Sequence, residues 1–218
     1  MNTSTAVVHV IDDDEPLRSS LIRVLQAAGH IARGYASAGD FLLAEPLDAP
    51  GCLLLDVQMP GPDGLELQTA LVRHGHMRPI VFLSGHGDIP VTVRAIKAGA
   101  VDFLTKPVDR VTLLAAIDAA LARDAQQRRV AAETAALSKR VAALTARERA
   151  VYRCLVTGKL NKQIAGALGI SERTVKAHRA QLMDDMQARS LSQLVQFAEQ
   201  LRAAGVTDLF VSADFSLQ

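Results

Sequence analysis

Acidic, hydroxyl and basic side chains stand at the ends of several short apolar runs in the N-terminal half of the chain. Three aspartates, Asp12 to Asp14, follow the first run, and Asp56 ends the third. Ser84 follows the fourth run and Lys106 the fifth. If these runs are parallel strands, their carboxyl ends meet at one edge of a sheet, where open α/β sheets bind ligands. The spacing therefore predicts one pocket that contains carboxylates, a hydroxyl and an ammonium group.

A pocket of this composition suits phosphoryl transfer. Neighbouring carboxylates repel one another, and one of them keeps its proton unless a cation compensates the charge. Mg²⁺ (or Mn²⁺) binds through a few carboxylate oxygens and leaves its other positions to water or phosphate oxygens. One carboxylate can then act as the nucleophile and form an aspartyl phosphate. The metal and Lys106 would neutralise the phosphoryl oxygens, and the Ser84 hydroxyl would supply the remaining hydrogen bond.

A simpler interpretation exists for the first acidic cluster. Asp12 to Glu15 would also suit the start of a helix, because acidic side chains favour the positive end of the helix dipole. Asp56 has no such explanation. A carboxylate that ends the apolar run Leu53-Leu54-Leu55 is costly to place beside a core without a partner. Asp56 therefore favours the pocket over a plain helix start.

The same half of the chain alternates short apolar runs with stretches whose apolar residues recur at helical spacing. Gly29 and Gly99 stand where two of these helices should end. Strand–helix units of this size predict a doubly wound parallel sheet with helices on both faces. We expect strand one at its centre, with strands three and five beside it. The five predicted strands are Val7 to Ile11, Ile31 to Tyr35, Cys52 to Asp56, Pro79 to Leu83 and Val101 to Leu104.

The composition indicates a globular chain that is neither exported nor membrane-bound. Its 218 residues suffice for one large domain or two small ones, and 49% of them are apolar. No apolar run approaches the roughly 18 residues of a membrane span, and residues 1–10 lack the pattern of a leader peptide. Cys52 and Cys154 lie far apart in apolar contexts. We expect both to pack in cores, in a reducing cytoplasm.

The two halves of the chain differ in charge, although the whole chain carries +1. Residues 1–124 contain 10 basic and 15 acidic side chains, a net charge of −5. Residues 125–218 contain 14 basic and 8 acidic side chains, a net charge of +6. The basic C-terminal half favours a polyanionic partner.

A helical segment joins the halves. From Val111 to about Leu144 the chain is rich in Ala, Leu, Arg and Gln and has no Gly or Pro that would end a helix. One apolar stripe could pair with a copy of itself, but it spans about two heptads and falls short of a coiled coil. We interpret residues 124–141 as a helical linker and leave self-association open. The stripe consists of Val130, Thr134, Leu137, Val141 and Leu144.

Helix starts follow one another closely in the C-terminal half. Thr145 and Glu148 have the spacing of a capping box, and the helix they begin runs to Gly158. Asn161 is expected to cap a second helix and Ser171 a third, through about Met186. A fourth helix is predicted from Ser192 to about Arg202. The short connection between the second and third helices, which contains a glycine, is typical of a helix-turn-helix.

The third helix of this group has two different faces. Val175, Leu182 and Met186 share one face and should pack inward. The opposite face is basic with small residues between, which favours a close approach to base edges in DNA. Its members are Arg173, Lys176, Ala177 and Ala180, while Lys162 and Arg179 lie to the side and suit phosphate contacts. The plainer alternative is a helical bundle with a solvated charged face.

Four segments of the N-terminal half together resemble the receiver domain of two-component response regulators, whose fold is flavodoxin-like. They read Val-Ile-Asp-Asp-Asp-Glu-Pro, Leu-Leu-Leu-Asp-Val-Gln-Met-Pro with Gly64 downstream, Leu-Ser-Gly-His-Gly-Asp, and Ala-Val-Asp-Phe-Leu-Thr-Lys-Pro. The resemblance covers residues 6 to about 123 and implies a phosphoacceptor, Asp56. It also implies that Lys106-Pro107 is a cis bond. The remaining implied roles are metal ligation by Asp12, Asp13, Asp56 and the Gln58 carbonyl, phosphoryl contacts by Ser84 and Lys106, and switching by Ser84 and Phe103.

The aspartate pair of the receiver family directly follows its strand, which favours Asp12 and Asp13 over Asp14 as metal ligands. Asp14 is then either a helix cap or a solvated neighbour.

The C-terminal half resembles the LuxR-type four-helix DNA-binding domain. The resemblance rests on Leu-Thr-Ala-Arg-Glu-Arg, Asn-Lys-Gln-Ile-Ala, Leu-Gly-Ile-Ser and Thr-Val-Lys-Ala-His-Arg. Together the halves are similar to NarL/FixJ response regulators, closer to the FixJ-like branch. The implied organisation is a receiver at 1–123, a linker at 124–141, the DNA-binding domain at 142–204 and a tail at 205–218. The expected DNA contacts are Lys162, Arg173, Thr174, Lys176, Ala177 and Arg179.

The function implied is a transcription regulator, expected to be an activator, that accepts a phosphoryl group from a histidine kinase on Asp56. Its expected partners are that kinase, promoter DNA, RNA polymerase and, after phosphorylation, a second copy of the chain. We do not expect an enzyme. A phosphohydrolase of the haloacid-dehalogenase kind needs a second Asp two residues after the nucleophile, and Gln58 stands there. The remaining alternative is a phosphate-independent DNA binder whose receiver is only an interaction module.

Overall fold

The polypeptide packs around separate cores in two units, Met1–Arg128 and Arg129–Gln218. The computed structural model describes residues 6–44, 49–85 and 87–206. Of the predicted tail at 205–218, only Gly205 and Val206 fall within the described residues.

The first unit is built on a parallel sheet, as predicted. The register pairs Ile11 with Leu55, Asp56 with Leu83 and Ser84 with Thr105, so the carboxyl ends of neighbouring strands align at one edge. The strands are β1 (Val7–Ile11), β2 (Ile31–Tyr35), β3 (Gly51–Asp56), β4 (Ile80–Ser84) and β5 (Asp102–Thr105). Their order in the sheet is β2-β1-β3-β4-β5.

The expected neighbours of the first strand were partly wrong. β1 lies between β2 and β3, whereas β5 is an edge strand that pairs with β4. Strand periodicity identifies a strand but carries no information about its position in the sheet, because that position depends on which helix crosses which face. Residues that follow β5 must therefore reach across β4 and β3 to meet those that follow β1.

Helices cover both faces of the sheet. Successive side chains along each strand point to opposite faces and so contribute to two cores. Val8, Leu54 and Leu83 pack on one face with α1 (Glu15–Ala27) and the first turns of α5 (Arg110–Ala143). The opposite face packs with three helices, α2 (Ala38–Ala44), α3 (Gly64–Arg73) and α4 (Ile89–Lys97). The strand residues on this face include Leu53, Leu55 and Phe82.

The predicted helix ends are confirmed at two glycines. Gly29 follows α1 with a φ of 92°, and Gly99 follows α4 with a φ of 97°. A side chain is strained in this left-handed region, so glycine is the residue that ends these helices at least cost.

The second unit consists of helices around one core. Its elements are the part of α5 from Arg129 onward, α6 (Ala146–Val156), α7 (Asn161–Leu168), α8 (Glu172–Asp185) and α9 (Leu191–Ala203). The capping box of Thr145 and Glu148 is confirmed at the start of α6, and the Ser171 hydroxyl accepts from the Thr174 amide at the start of α8. α9 agrees with the predicted fourth helix within one residue at each end.

The apolar stripe of the predicted linker has a partner inside its own unit. Leu137, Val141 and Leu144 are buried in the core formed with α6 to α9. Thr134 Oγ1 accepts a hydrogen bond of 3.2 Å from Gln200 Nε2 on α9. These residues are therefore covered in the folded unit, which removes most of the stripe from any pairing with a second copy.

The predicted cap of the second helix was wrong. The residue that caps α7 is Leu160, and Asn161 is already the first helical residue. The Gln163 carboxamide accepts from the Leu160 amide at 2.8 Å, so the glutamine takes part of the expected capping role. The Asn161 carboxamide instead accepts a hydrogen bond from Arg179 on α8. A preference for asparagine at helix starts cannot distinguish a cap from a residue that binds a neighbouring helix.

Candidate functional site

The three aspartates that the sequence suggests as metal ligands, Asp12, Asp13 and Asp56, lie together at the carboxyl edge of the sheet. Asp12 follows β1 and is fully buried, Asp56 ends β3 and is 5% exposed, and Asp13 is exposed. One carboxylate oxygen from each residue lies within 4.8 Å of the others. Carboxylates at this distance repel one another, so one of them keeps its proton unless a cation compensates the charge.

Lys106 supplies part of that compensation. Its Nζ donates to Asp12 Oδ2 and to Asp56 Oδ2, at 2.8 Å in each case. The lysine follows the edge strand β5, so its long side chain spans the distance that the strand order imposes. The formal charge of the three carboxylates and this ammonium group is −2, which a divalent cation would neutralise.

Further hydrogen bonds orient the two buried carboxylates. The backbone amide of Asp14 donates to Asp12 Oδ1 at 2.9 Å, and that of Gln58 donates to Asp56 Oδ1 at 3.3 Å. The guanidinium of Arg18 donates to the backbone carbonyl of Asp12. Sequence reasoning missed Arg18, because the only available signal was its position one helical turn after Asp14. The Asp14 carboxylate caps α1 by accepting from the Leu17 amide, which decides between its two predicted roles.

Burial and the charge of neighbouring groups have opposite effects on the pKa values of Asp56 and Lys106. Burial raises the pKa of Asp56, the nearby charge of Asp12 adds to this, and the hydrogen bond and charge of Lys106 oppose it. Burial lowers the pKa of Lys106, but its hydrogen bonds to Asp12 and Asp56 and their charges outweigh burial, so its pKa is raised overall. Lys106 is therefore firmly held in its charged form.

Ser84 and Phe103 lie next to these groups on β4 and β5. Ser84 is 3% exposed, and its backbone carbonyl accepts from the Lys106 amide at 2.7 Å. The ring of half-buried Phe103 lies 6.1 Å, between centroids, from that of Phe82 on the strand beside it. The Lys106-Pro107 bond is cis, as predicted.

Gly64 begins α3 directly beneath Asp56. A Cβ atom at this position would lie 2.3 Å from the Asp56 backbone oxygen and 3.1 Å from the Phe82 ring. The α3 backbone therefore packs against the end of β3 at a distance that excludes any side chain, and the amide of Gly64 donates to the Val57 carbonyl at 3.1 Å. This approach fixes the position of the loop that carries Gln58.

The donor set fits a hard divalent cation. The cluster offers carboxylate oxygens only, and these are the ligands that Mg²⁺ prefers. Two of the carboxylates are buried and already oriented by hydrogen bonds, and the third, Asp13, faces solvent. An ion at this place would therefore keep open positions for water or phosphate oxygens.

In the second unit, α8 has the two faces that its sequence predicts. Val175, Leu182 and Met186 are fully buried in the core. The opposite face is exposed and includes Arg173, Lys176, Ala177 and Ala180. Thr174 is also exposed, and its hydroxyl shares a 2.8 Å hydrogen bond with that of Ser171.

Lys162 and Arg179, the two residues expected to contact phosphates beside this face, differ in exposure. Lys162, in the first turn of α7, is exposed. Arg179 is half-buried, and its guanidinium donates to Asn161 Oδ1, so this arginine already has a partner within the protein.

Along the described part of the chain, no helix has the length and apolar character that a bilayer span requires.

Comparisons with known proteins agree with both halves of this description. Residues 8–118 match the family model of response regulator receiver domains, and residues 142–198 match that of bacterial regulatory proteins of the luxR family. The transcriptional regulatory protein FixJ of Azorhizobium caulinodans is 47% identical over 192 residues, covering 88% of this chain and 90% of that protein. Nodulation protein W of Bradyrhizobium diazoefficiens is 43% identical, covering 91% and 88%.

Solved structures give the same result. Response regulator StyR superposes with a TM-score of 0.79 at 42% identity, covering 90% of this chain and 99% of that one. Full-length FixJ from B. japonicum superposes with a TM-score of 0.56 at 40% identity, covering 92% and 99%. The relatives are transcription regulators rather than catalytic enzymes. The chain therefore belongs to the two-component response regulators that join a receiver domain to a LuxR-type DNA-binding domain, the NarL/FixJ type.

Proposed function

We propose that this two-component transcription regulator is switched on by transfer of a phosphoryl group from a histidine kinase to Asp56, and that the switched form activates transcription. One observation carries the proposal. The Lys106 ammonium lies 2.8 Å from both Asp12 and Asp56, so the cation that would neutralise a phosphoryl group is already held beside the nucleophile.

The proposed transfer uses this chain's own residues in distinct roles. An Asp56 carboxylate oxygen attacks phosphorus, the bond from phosphorus to the kinase histidine nitrogen breaks, and the imidazole keeps the electron pair. Lys106 neutralises an oxygen of the transferred group, and the hydroxyl of Ser84, which ends the adjacent strand, donates a hydrogen bond to another. Asp56 then carries an acyl phosphate.

Mg²⁺ is the proposed cofactor, with Mn²⁺ as a substitute. Asp12, Asp13, Asp56 and the Gln58 carbonyl would hold the ion, which when bound supplies positive charge that stabilises the transferring phosphoryl oxygens. The oxygen-only donor set and its formal charge support this assignment.

The proposed consequence is a shift of the surface around β5. Once Ser84 turns toward the phosphoryl group, half-buried Phe103 would move into the space beside it, and the flanking helices would follow. α4 carries an exposed apolar stripe at helical spacing, Ile89, Val93 and Ile96, with exposures of 75%, 43% and 45%. We propose that a second copy of the chain covers this stripe after phosphorylation.

The proposed DNA interface is the exposed face of α8 together with the start of α7. Arg173, Lys176 and Ala177 would lie in the major groove, with Thr174 and Lys162 toward the phosphates. Their exposure opposite a fully buried face supports this orientation. The set derived from the sequence also includes Arg179, whose guanidinium donates to Asn161 within the protein. RNA polymerase contact and a cytoplasmic location complete the proposal.

The test is phosphorylation of the full chain with ³²P-labelled acetyl phosphate and Mg²⁺. We expect stoichiometric label in the wild type, no label in Asp56→Asn, and promoter activity that depends on Asp56. The matched control is Asp63→Asn, which changes a carboxylate that caps α3 near the pocket. If Asp56→Asn leaves promoter activity and dimerisation unchanged under inducing conditions, the phosphate-independent alternative replaces this proposal. Turnover of small phosphate esters would contradict the regulator role altogether.

A further inference from the structure

Arg179 lies on a different face of α8 from the residues that would read bases. Counted at about 100° per residue, it lies about 40° from Val175, close to the direction of Leu182 and Met186. All three of these residues are fully buried. The exposed face centres on the opposite side of the helix, so the Arg179 stem emerges at the edge of the core and its head turns toward α7.

The partner of Arg179 is Asn161, which was expected to cap α7 but does not. Asn161 is the first residue of α7, and both Asn161 and Arg179 are half-buried. The guanidinium donates to Asn161 Oδ1 across the two helices of the helix-turn-helix. The Leu160 amide is satisfied by Gln163 at 2.8 Å, so capping of α7 does not need the Asn161 carboxamide.

A second arginine holds the other end of α7. Arg147 on α6 donates to the Leu168 carbonyl at the last turn, at 3.3 Å. Between these two attachments, Ile164 and Ala165 are buried in the core. α7 is only eight residues long, so the arginine contacts and these two side chains account for much of what fixes its direction.

We propose that Arg179 is a positioning residue: through Asn161 it fixes α7 relative to α8, and so couples the phosphate contact of Lys162 to the base contacts of Lys176. The proposal rests on the DNA interface described above and replaces the phosphate role that the sequence suggested for Arg179. A charged group engaged in this way orders both helices before DNA binds, which lowers the entropic cost of recognition.

Salt dependence separates the two roles. A side chain that neutralises a phosphate contributes about one unit to the slope of log K against log salt, because it releases a counterion. A residue that only positions helices leaves this slope unchanged. It affects specific binding more than non-specific binding, because only specific binding requires phosphate and base contacts in one register.

The experiment uses the phosphorylated full-length protein and an operator obtained by selection from random duplex DNA. Affinities for this operator and for an unrelated duplex are measured from about 50 to 200 mM salt. Asn161→Ala removes the partner of Arg179 without changing charge, and Arg179→Met removes the arginine. Lys139→Met is the control, since it removes one exposed positive charge from α5 in the same unit.

We expect Asn161→Ala and Arg179→Met each to weaken operator binding about tenfold, with salt slopes equal to that of the control. The double variant should be no worse than either single variant, because both remove one interaction. Asn161→Asp keeps the acceptor oxygen and should restore the ratio of specific to non-specific affinity, even though its charge weakens both.

Three results of the DNA-binding measurements would overturn the proposal: normal operator affinity in Asn161→Ala, a slope lowered by about one unit in Arg179→Met alone, or additive losses in the double variant. Amide hydrogen exchange of α7 in the free protein provides a readout without DNA. It should accelerate in both single variants while exchange in α6 stays unchanged, and unchanged exchange in α7 would also refute the link. If selection enriches no sequence while α7 exchange still responds, the DNA interface fails and not the link.

Discussion

At the scale of single residues, the pocket depends on how three charges are compensated. Asp12 and Asp56 are both buried, and neither would be stable as a carboxylate beside the other without a cation. Lys106 meets both at 2.8 Å, and its raised pKa keeps it charged. The lysine therefore has a structural role in the resting protein as well as its proposed role toward the phosphoryl group.

Lys106→Met tests this double role. In metal-free buffer the free energy of unfolding should fall by about 2 kcal/mol, because two buried carboxylates lose their shared counterion. Added Mg²⁺ should stabilise the variant more than the wild type, because the pocket is one charge more negative. Urea unfolding with and without Mg²⁺ measures both effects. Lys97→Met removes an equal, exposed charge at the end of α4 and should change neither. A variant as stable as the wild type without metal would contradict this account.

At the scale of elements, the pocket requires α3 to begin in contact with the end of β3. The position of a hypothetical Cβ at Gly64, 2.3 Å from the Asp56 oxygen, shows how close that contact is. β4 also fixes the position of the loop that follows Asp56, because the Val57 amide donates to the Leu83 carbonyl at 2.9 Å. The backbone around Asp56 is thus held by a helix start and by a neighbouring strand.

Gly64→Ala should push α3 away from β3. We expect the free energy of unfolding to fall by about 1 to 3 kcal/mol through overpacking, and the rate of Asp56 phosphorylation to fall with it. Gly39→Ala in α2 is the matched control, because its Cβ would lie 3.7 Å from the Ser37 hydroxyl oxygen, an ordinary van der Waals contact. That change should stabilise the protein by about 0.5 to 1 kcal/mol, as alanine does within a helix. Equal effects at both glycines would show that the close approach has no consequence.

At the scale of the whole molecule, the chain combines an acidic unit that would accept a phosphoryl group with a basic unit that binds DNA. α5 contributes to both units, and its stripe is largely occupied by the core of the second. The exposed apolar residues of α4 are therefore better placed than the linker to form a contact between copies.

Ile96→Glu should weaken the association of phosphorylated chains. A carboxylate on the α4 stripe cannot be buried against a second copy without a partner, so dimer affinity should weaken at least about tenfold. Sedimentation after treatment with acetyl phosphate measures this, and labelling of Asp56 should remain normal. Val72→Glu places the same charge on an exposed residue of α3, outside the stripe, as a control. If both variants dimerise equally after phosphorylation, α4 is not the contact.

Local patterns in the sequence determined much of this protein. Strand runs, the glycines that end α1 and α4, the Thr145–Glu148 and Ser171 caps, and the two faces of α8 depend on interactions among residues close in the chain, so their spacing is readable. The gathering of Asp12, Asp56 and Lys106 followed from the single fact that parallel strands end at one edge.

Only the tertiary structure decided which distant groups become partners. The pairing of Asn161 with Arg179 and the burial of Leu137 and Val141 by α6 to α9 each join segments whose separation is set by how helices pack. The edge position of β5 was also decided by the tertiary structure, because the order of strands depends on the faces over which the connecting helices cross. Hydrophobic spacing shows that a residue needs a partner, but the packed fold selects that partner.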